Sequence, residues 1–201
     1  MVTAPSSVVT RAEIVVIGAS AGAVEALGAI LPILPAGFGV PVVVVVHLSP
    51  RRPSLLSSLF ARRCALPVRE PFDKEPVGSG IFFAPPDYHL MVERDHTFAL
   101  TIEPPVNWSR PSIDVLFESV ADAYGAGAVA VVLTGASADG AKGARAIRAA
   151  GGTVMVQSPA TADATAMPVA AIQLAAPQMV GSLAEIAAIL CMLRTPPRER
   201  E

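Results

Sequence analysis

The sequence predicts an α/β fold: a doubly wound, mainly parallel sheet flanked by helices, with one short antiparallel hairpin. Short β-branched runs alternate with segments of helical periodicity over most of the 201 residues. This alternation is typical of βαβ units joined by right-handed crossovers. The strongest runs, at 13–17, 41–46 and 128–133, are almost wholly apolar, as expected for strands that are covered on both faces. Apolar residues make up 52% of the chain and charged residues 16%, which is enough for a large core.

Two buried strands, two helices and several short strands are predicted before residue 105. Pro32 and Pro35 end the first helix. Pro67 keeps the second helix from continuing, because the residue before a proline disfavours helical angles. In chain order the elements are a strand at 13–17, a helix at 21–30, a strand at 41–46, a helix at 54–63, an extended piece from Val68, and strands at 80–84, 88–93 and 97–102, the last two forming the hairpin.

The second half of the chain continues the alternation of strands and helices after a loop at 104–111. Gly125 and Gly127 stop the third helix. The predicted elements are a helix at 112–124, a strand at 128–133, a helix at 141–150, a strand at 153–156, a polar loop at 157–166, a helix at 167–174, a short strand at 178–180 and a helix at 183–193. We therefore expect one domain over 13–193 between flexible tails at 1–12 and 194–201.

Composition excludes several kinds of partner. The net charge is -2, with 15 basic and 17 acidic side chains, so no nucleic-acid partner is expected. No signal peptide is recognised, and the apolar run at 40–46 is too short to span a bilayer, so no membrane insertion is expected. Cys64 and Cys191 are far apart and lack metal-type spacing. This predicts a cytoplasmic protein without a metal or cofactor.

A small-residue turn follows the first strand and carries one serine. The segment Gly18-Ala19-Ser20-Ala21-Gly22 has the G-x-S-x-G form of a nucleophile turn. The same layout could bind phosphate in a dinucleotide-binding unit. That alternative is disfavoured because Ser20 replaces the second glycine of G-x-G-x-x-G, and because His47 follows the second strand where an acidic residue is expected.

Three polar residues follow predicted strands: Ser20, His47 and Asp139. Chemically they are a nucleophile, a base that takes the serine proton, and a carboxylate that orients the base. Their chain order, Ser-His-Asp, differs from the Ser-Asp-His order of α/β-hydrolases. Each also has a structural interpretation: Ser20 as a turn cap, His47 as a core histidine, and Asp139 as a helix N-cap. His89 is interpreted as structural, His96 as solvated and Ser137 as a turn residue.

Several separate motifs resemble the catalytic domain of the chemotaxis receptor methylesterases, the CheB family. They occur in the family's order and cover roughly residues 13–190. The matching segments are residues 16–20 with Gly22, His47 after the valine run, 83–85 with Asp87 and 89–90, 104–107, 110–117, 133–135 with 139–141, 146–152 and 167–172.

The resemblance implies an α/β fold with Ser20 as nucleophile, His47 as base and Asp139 as orienting carboxylate. It implies hydrolysis of glutamate γ-methyl esters on the cytoplasmic helices of chemoreceptors, with release of methanol, and many members also deamidate receptor glutamines. The oxyanion donors would be the backbone N–H groups of Ala21 and Ala136. Members commonly carry an N-terminal receiver domain. None is expected here, which leaves control by a separate regulatory protein open.

The sequence departs from the family pattern beside the expected catalytic residues. The departures are at 21–23, Val46, Leu48, Ala136 and Ser137. They motivate an alternative hypothesis from another functional class, a catalytically impaired regulatory or binding module on the same fold. The complete Ser-His-Asp set favours the enzyme.

Overall fold

A seven-stranded parallel sheet forms the centre of the protein, seen here in a computed structural model that describes residues 11–47 and 54–195. The strands are β1 (Ile14–Ala19), β2 (Val42–Val46), β3 (Val68–Arg69), β4 (Ile81–Phe83), β5 (His89–Val92), β6 (Phe98–Thr101), β7 (Ala128–Val132), β8 (Thr153–Gln157) and β9 (Met179–Gly181). The helices are α1 (Ala23–Ile30), α2 (Leu56–Ala61), α3 (Ile113–Tyr124), α4 (Ala141–Ala149), α5 (Ala166–Ala175) and α6 (Leu183–Met192). This arrangement confirms the predicted fold class.

The strand order places β1 at the centre of the sheet. The order is β3-β4-β2-β1-β7-β8-β9, with every pair parallel, and β5 and β6 form a separate antiparallel hairpin. The chain first builds outward from β1 through β2, and later returns to the other side of β1 with β7. The carboxyl end of β1 is therefore a topological switch point, the position where open α/β sheets bind ligands.

Helices cover both faces of the sheet and give two apolar cores. On one face, side chains such as Val15 and Ile17 of β1 pack with α1, α2 and α6. On the other, Ile14 and Val16 pack with α3, α4, α5 and the hairpin. All residues of β1 and β2 are buried, which explains why these strands are continuous apolar runs in the sequence.

Most element boundaries differ from the prediction by one or two residues, and two of these differences have a clear local reason. β1 extends to Ala19, because the pairing of β1 with β2 runs as far as Ala19 opposite Val46 and the Ala19 carbonyl accepts a hydrogen bond from the His47 N–H at 3.2 Å. α2 begins at Leu56 rather than at Ser54, because the Ser54 hydroxyl accepts a hydrogen bond from the Leu56 N–H at 3.2 Å. A serine in that role lies before a helix rather than within it.

The two ends of the described chain meet. Arg11 forms a parallel bridge with Arg194, and the Ala12 N–H donates to the Arg194 carbonyl at 3.0 Å. These residues lie in the two segments predicted as tails. Apart from these residues and Thr195, the predicted tails fall outside the described residues. Leu48 also falls outside them. Within the described ranges, no helix is long and apolar enough to cross a bilayer, and no group of three or more acidic, histidine or cysteine side chains could hold a metal ion.

Candidate active site

Backbone hydrogen bonds hold Ser20 at the carboxyl ends of β1 and β7. Its N–H donates to the Thr134 carbonyl at 2.9 Å, and its carbonyl accepts from the Ala23 N–H at 3.0 Å. The Thr134 hydroxyl donates to the Ala21 carbonyl at 2.8 Å, which ties the turn to the β7 loop. The left-handed residue of the turn is Gly22, with φ 80°, and Ser20 does not have a positive φ. The turn therefore lacks, at the serine itself, the backbone strain typical of a nucleophile elbow.

His47 extends from the carboxyl end of β2 and contacts Asp139. Its Nε2 lies 2.7 Å from Asp139 Oδ2, and its side chain is 13% exposed. An ionised carboxylate only accepts hydrogen bonds, so the geometry assigns the Nε2 proton to the bond with Asp139. The other ring nitrogen, Nδ1, is then the one free to accept a proton.

The carboxylate of Asp139 lies at the amino end of α3 and is almost fully buried, with 1% of the residue exposed. Helix amino ends favour anions because their N–H groups are unpaired and their dipole is positive there. The donors to its two oxygens are His47 Nε2 and the Ile113 N–H at 2.7 Å, Asn107 Nδ2 at 2.7 Å, the Ser112 hydroxyl at 2.8 Å and the Asp114 N–H at 3.2 Å.

These contacts exclude the interpretation of Asp139 as a helix N-cap. The N-cap of α4 is Gly140, and no side chain caps that helix, so Asp139 is not the cap of the helix that follows it. Burial, the largest single effect, raises the pKa of Asp139. The hydrogen bonds from His47, Ile113, Asn107 and Ser112 together bring that pKa below its ordinary value. Asp139 is thus ionised at neutral pH and able to orient an imidazole.

A second buried carboxylate lies beside Asp139. Asp114 accepts from the Gly143 N–H at 2.8 Å and from Asn107 Nδ2 at 2.8 Å. Burial raises the pKa of Asp114, and the negative charge of Asp139 raises it further. The Asn107 amide bridges the two carboxylates. The sequence prediction assigned no role to Asn107, Ser112 or Asp114. The one available signal was Asp114, an acidic residue beside the apolar face of α3, which indicates a buried polar contact.

Ser20 and His47 share the wall of one groove of about 640 Å³, which also has Glu25, Arg63 and Asp163 in its lining. Across the part of the chain that the structure describes, no hydrogen bond joins the Ser20 hydroxyl to His47. Catalytic hydrogen bonds of this kind are often long before substrate binds. The structure therefore brings His47 and Asp139 into direct contact and places Ser20 in the same groove.

The expected oxyanion donors follow two neighbouring strand ends. Ala21 comes after Ser20, and Ala136 comes after Gly135 in the loop beyond β7; both residues are exposed. Within the described residues, neither N–H donates to another group of the chain. Unpaired backbone N–H groups are what an oxyanion hole requires, and the role of these two groups remains a prediction.

The other two histidines have structural contacts. His89 is 1% exposed, accepts from the Ser112 N–H at 3.2 Å, and has Nε2 3.1 Å from the Pro104 carbonyl. His96 is exposed, in line with the expectation that it is solvated, and it also stacks on Tyr124 with ring centroids 4.2 Å apart. Neither lines the groove that contains Ser20.

The fold and this site define a class: an α/β protein with serine, histidine and aspartate at the carboxyl ends of three adjacent central strands. The model of one family, CheB methylesterase, matches residues 15–190. The solved CheB methylesterase catalytic domain of Thermotoga maritima superposes with a TM-score of 0.85 at 33% identity, over 90% of this chain and 98% of that one.

Relatives of known sequence agree with the family match. A protein of Leptospira interrogans, provisionally named a protein-glutamate methylesterase/protein-glutamine glutaminase, is 42% identical over 182 residues, covering 90% of this chain and 94% of that protein. The protein of that name from Trichodesmium erythraeum is 40% identical over 162 residues, covering 79% of this chain and 46% of the relative. The chain belongs to the CheB methylesterase family, and it is an enzyme of the ester-hydrolase class.

Proposed function

We propose that this enzyme is a cytoplasmic serine hydrolase that removes the methyl group from glutamate γ-methyl esters on the cytoplasmic helices of chemoreceptors. One observation carries the proposal within the family: His47 Nε2 lies 2.7 Å from the buried Asp139 carboxylate, and His47 shares a groove with Ser20. An imidazole held by a carboxylate beside a serine is the arrangement that activates a hydroxyl nucleophile.

The first half of the proposed reaction forms an acyl-enzyme. His47 Nδ1 takes the proton from Ser20 Oγ, and Oγ attacks the ester carbonyl. The N–H groups of Ala21 and Ala136 stabilise the negative oxygen of the tetrahedral intermediate. When the intermediate collapses, the C–O bond to the methoxy group breaks, and His47 returns its proton to that group. Methanol leaves.

The second half restores the enzyme. Water gives a proton to His47 and attacks the acyl carbonyl, the bond to Ser20 Oγ breaks, and Oγ regains the proton. The product is a glutamate side chain. Asp139 stabilises the imidazolium that forms in both halves. A glutamine side chain would give the same acyl-enzyme with ammonia leaving, so receptor deamidation needs no additional residue.

Methanol release from methylated receptor fragments tests the nucleophile. We expect Ser20→Ala to lower turnover by about 10⁴- to 10⁶-fold, since residues of a serine triad act as a unit. Ser58→Ala is the matched control, because Ser58 is an exposed serine of α2, and it should keep wild-type turnover. Undiminished release by folded Ser20→Ala would rule out Ser20 as the nucleophile.

A second candidate function is a catalytically impaired regulatory or binding module. It is favoured by the departures at Ala21, Val46 and Ala136 next to the site, and by the absence, among the described residues, of a hydrogen bond between Ser20 and His47. A fluorophosphonate probe discriminates between the two functions, because it reacts only with an activated serine. Labelling that is lost in Ser20→Ala supports the hydrolase, and no labelling of folded wild-type protein supports the module.

A further inference from the structure

The chain contains a single tryptophan, Trp108, and its side chain is fully exposed, at 101% of the reference value. Isolated exposed apolar residues are common. A tryptophan, however, is on average highly buried, and removing so large an apolar surface from water is strongly favourable. A fully exposed tryptophan therefore indicates a surface that another molecule covers.

The backbone around Trp108 is fixed. Val106 and Ser109 exchange two backbone hydrogen bonds, of 3.1 and 2.9 Å. Asn107 and Trp108 between them have φ values of 51° and 63°, as in the tight two-residue turns of hairpins. Left-handed backbone is uncommon for a bulky side chain. This turn thus holds the indole outward from a defined position.

Two anchors hold this turn, and the first of them joins it to the active site. On one side, the Asn107 amide donates to Asp139 and Asp114 at 2.7 and 2.8 Å. On the other, the guanidinium of Arg110 donates to Asp87 at 2.7 Å and to the Ile102 carbonyl at 2.7 Å. Trp108 and His47 line the same small cavity, of about 120 Å³. Trp108 is therefore a neighbour of His47, and the residue before it is held by the Asp139 carboxylate.

Further exposed apolar side chains lie at or beside the residues of these anchors in the sequence. Tyr88 is 41% exposed, Ile102 71% and Val106 38%. With Trp108 we call these residues the rim patch. When a substrate side chain reaches His47, the part of the substrate surface that carries this side chain lies against the rim patch. An amphipathic helix in that position would offer apolar residues about one turn from the reacting glutamate.

We propose that Trp108 determines substrate recognition, by covering an apolar side chain that neighbours the methyl-esterified glutamate on the substrate helix. This inference rests on the proposed function and names the contact by which the site selects its glutamate. Tryptophan suits the role, because it supplies a large contact area with only two rotatable bonds to order. Truncated tryptophans are among the most costly substitutions at interfaces.

Kinetics with a methylated receptor cytoplasmic fragment test the contact. We expect Trp108→Ala to raise KM about tenfold, the effect of losing one interface anchor, with a much smaller change in kcat. Trp108→Phe should recover most of the loss, since it keeps an aromatic surface. Ile33→Ala is the matched control, because Ile33 is also exposed, at 53%, and follows the end of α1 that points away from the site. Ile33→Ala should leave both KM and kcat unchanged.

Fluorescence gives a direct second measurement. Because Trp108 is the only tryptophan, the emission of the Ser20→Ala protein reports this residue alone when the receptor fragment contains no tryptophan. We expect a saturable blue shift as the methylated fragment is added, because the indole leaves water. An unchanged spectrum at fragment concentrations well above KM would overturn the inference.

The outcomes separate the inference from the function on which it rests. If wild-type enzyme releases methanol and Trp108→Ala has the wild-type KM, the recognition role of Trp108 is wrong and the proposed function stands. If folded wild-type enzyme releases no methanol from any receptor fragment of its own organism, the proposed function fails, and the inference fails with it.

Discussion

At the residue scale, the site depends on side chains that are held by distant parts of the chain. Asp139 precedes α4, yet it binds the amino end of α3 and His47 instead of capping its own helix. Its carboxylate also accepts hydrogen bonds from Asn107, Ser112 and the N–H of Asp114. A buried carboxylate with several donors has little freedom to turn. The orientation of His47 is therefore set by the packing of α3.

Asn107 is expected to stabilise the pair of buried carboxylates. Asn107→Gly removes the bridging amide without straining the left-handed backbone, and should lower the free energy of unfolding by about 1–2 kcal/mol. Asn107→Ala should cost about 1 kcal/mol more, because alanine is strained at positive φ. Urea unfolding at neutral pH measures both variants. Equal stability of Asn107→Gly and wild type would contradict a bridging role.

Asp139 is expected to contribute to stability above pH 4. Its folded pKa lies below its ordinary value, so its ionised form favours folding. The contribution is present in full above the unfolded pKa of about 3.9 and is lost as pH falls from there through the folded pKa. Between pH 6 and 2.5, the unfolding free energy of Asp139→Asn should depend less on pH than that of wild type. Identical pH dependence of the two proteins would argue against an ionised Asp139.

At the element scale, α3 packs directly against backbone. A Cβ placed on Gly18 of β1 would lie 2.4 Å from Ile113 Cγ2, and one on Gly143 of α4 would lie 2.5 Å from the Phe117 Cβ. The absence of a side chain at Gly18 lets the first turn of α3 come close to β1, and its absence at Gly143 lets α3 come close to α4. That approach brings the Ile113 N–H within 2.7 Å of Asp139.

Gly18→Ala should therefore displace α3. We expect a loss of about 1–3 kcal/mol in the free energy of unfolding, the usual cost of overpacking, together with reduced turnover. Adding Ile113→Val should recover part of the stability, because it removes a methyl group near the new one. Gly28→Ala in α1 is the control: its Cβ would meet only the Arg63 side chain, at 3.5 Å, and alanine in a helix should stabilise by about 0.5–1 kcal/mol. A neutral Gly18→Ala would refute the close-packing explanation.

The hairpin is joined to the carboxyl end of α3 through Tyr124, which stacks on His96. Burial, and to a smaller extent the charge of Glu13, raises the pKa of Tyr124 to about 12. Its neutral form thus favours folding below the unfolded pKa of about 10, and this contribution is lost as pH rises toward 12. Wild-type protein should lose stability over that range more steeply than Tyr124→Phe. Denaturant unfolding at pH 9 to 11.5 compares the two, and parallel curves would contradict the shift.

At the scale of the whole molecule, local patterns in the sequence were sufficient for the fold. The apolar runs and the helical periods predicted each element. Because parallel strands place their carboxyl ends on one edge of the sheet, the residues after these strands, Ser20, His47 and Asp139, could be predicted to lie together. What the sequence could not provide is contact between distant segments. The bridge made by Asn107 depends on a loop that folds back over α3. The position of the left-handed residue, at Gly22 rather than Ser20, depends on how the turn fits against β7.

The pairing of Arg11 with Arg194 has a consequence for any protein fused to this domain. Both residues lie at the amino edge of the sheet, before β1 begins. The six residues of β1 span roughly 20 Å at about 3.3 Å per residue, and Ser20 comes only after them. The described chain therefore enters and leaves the domain at the same place. Any module attached there must reach along the full length of a strand before it can cover the groove.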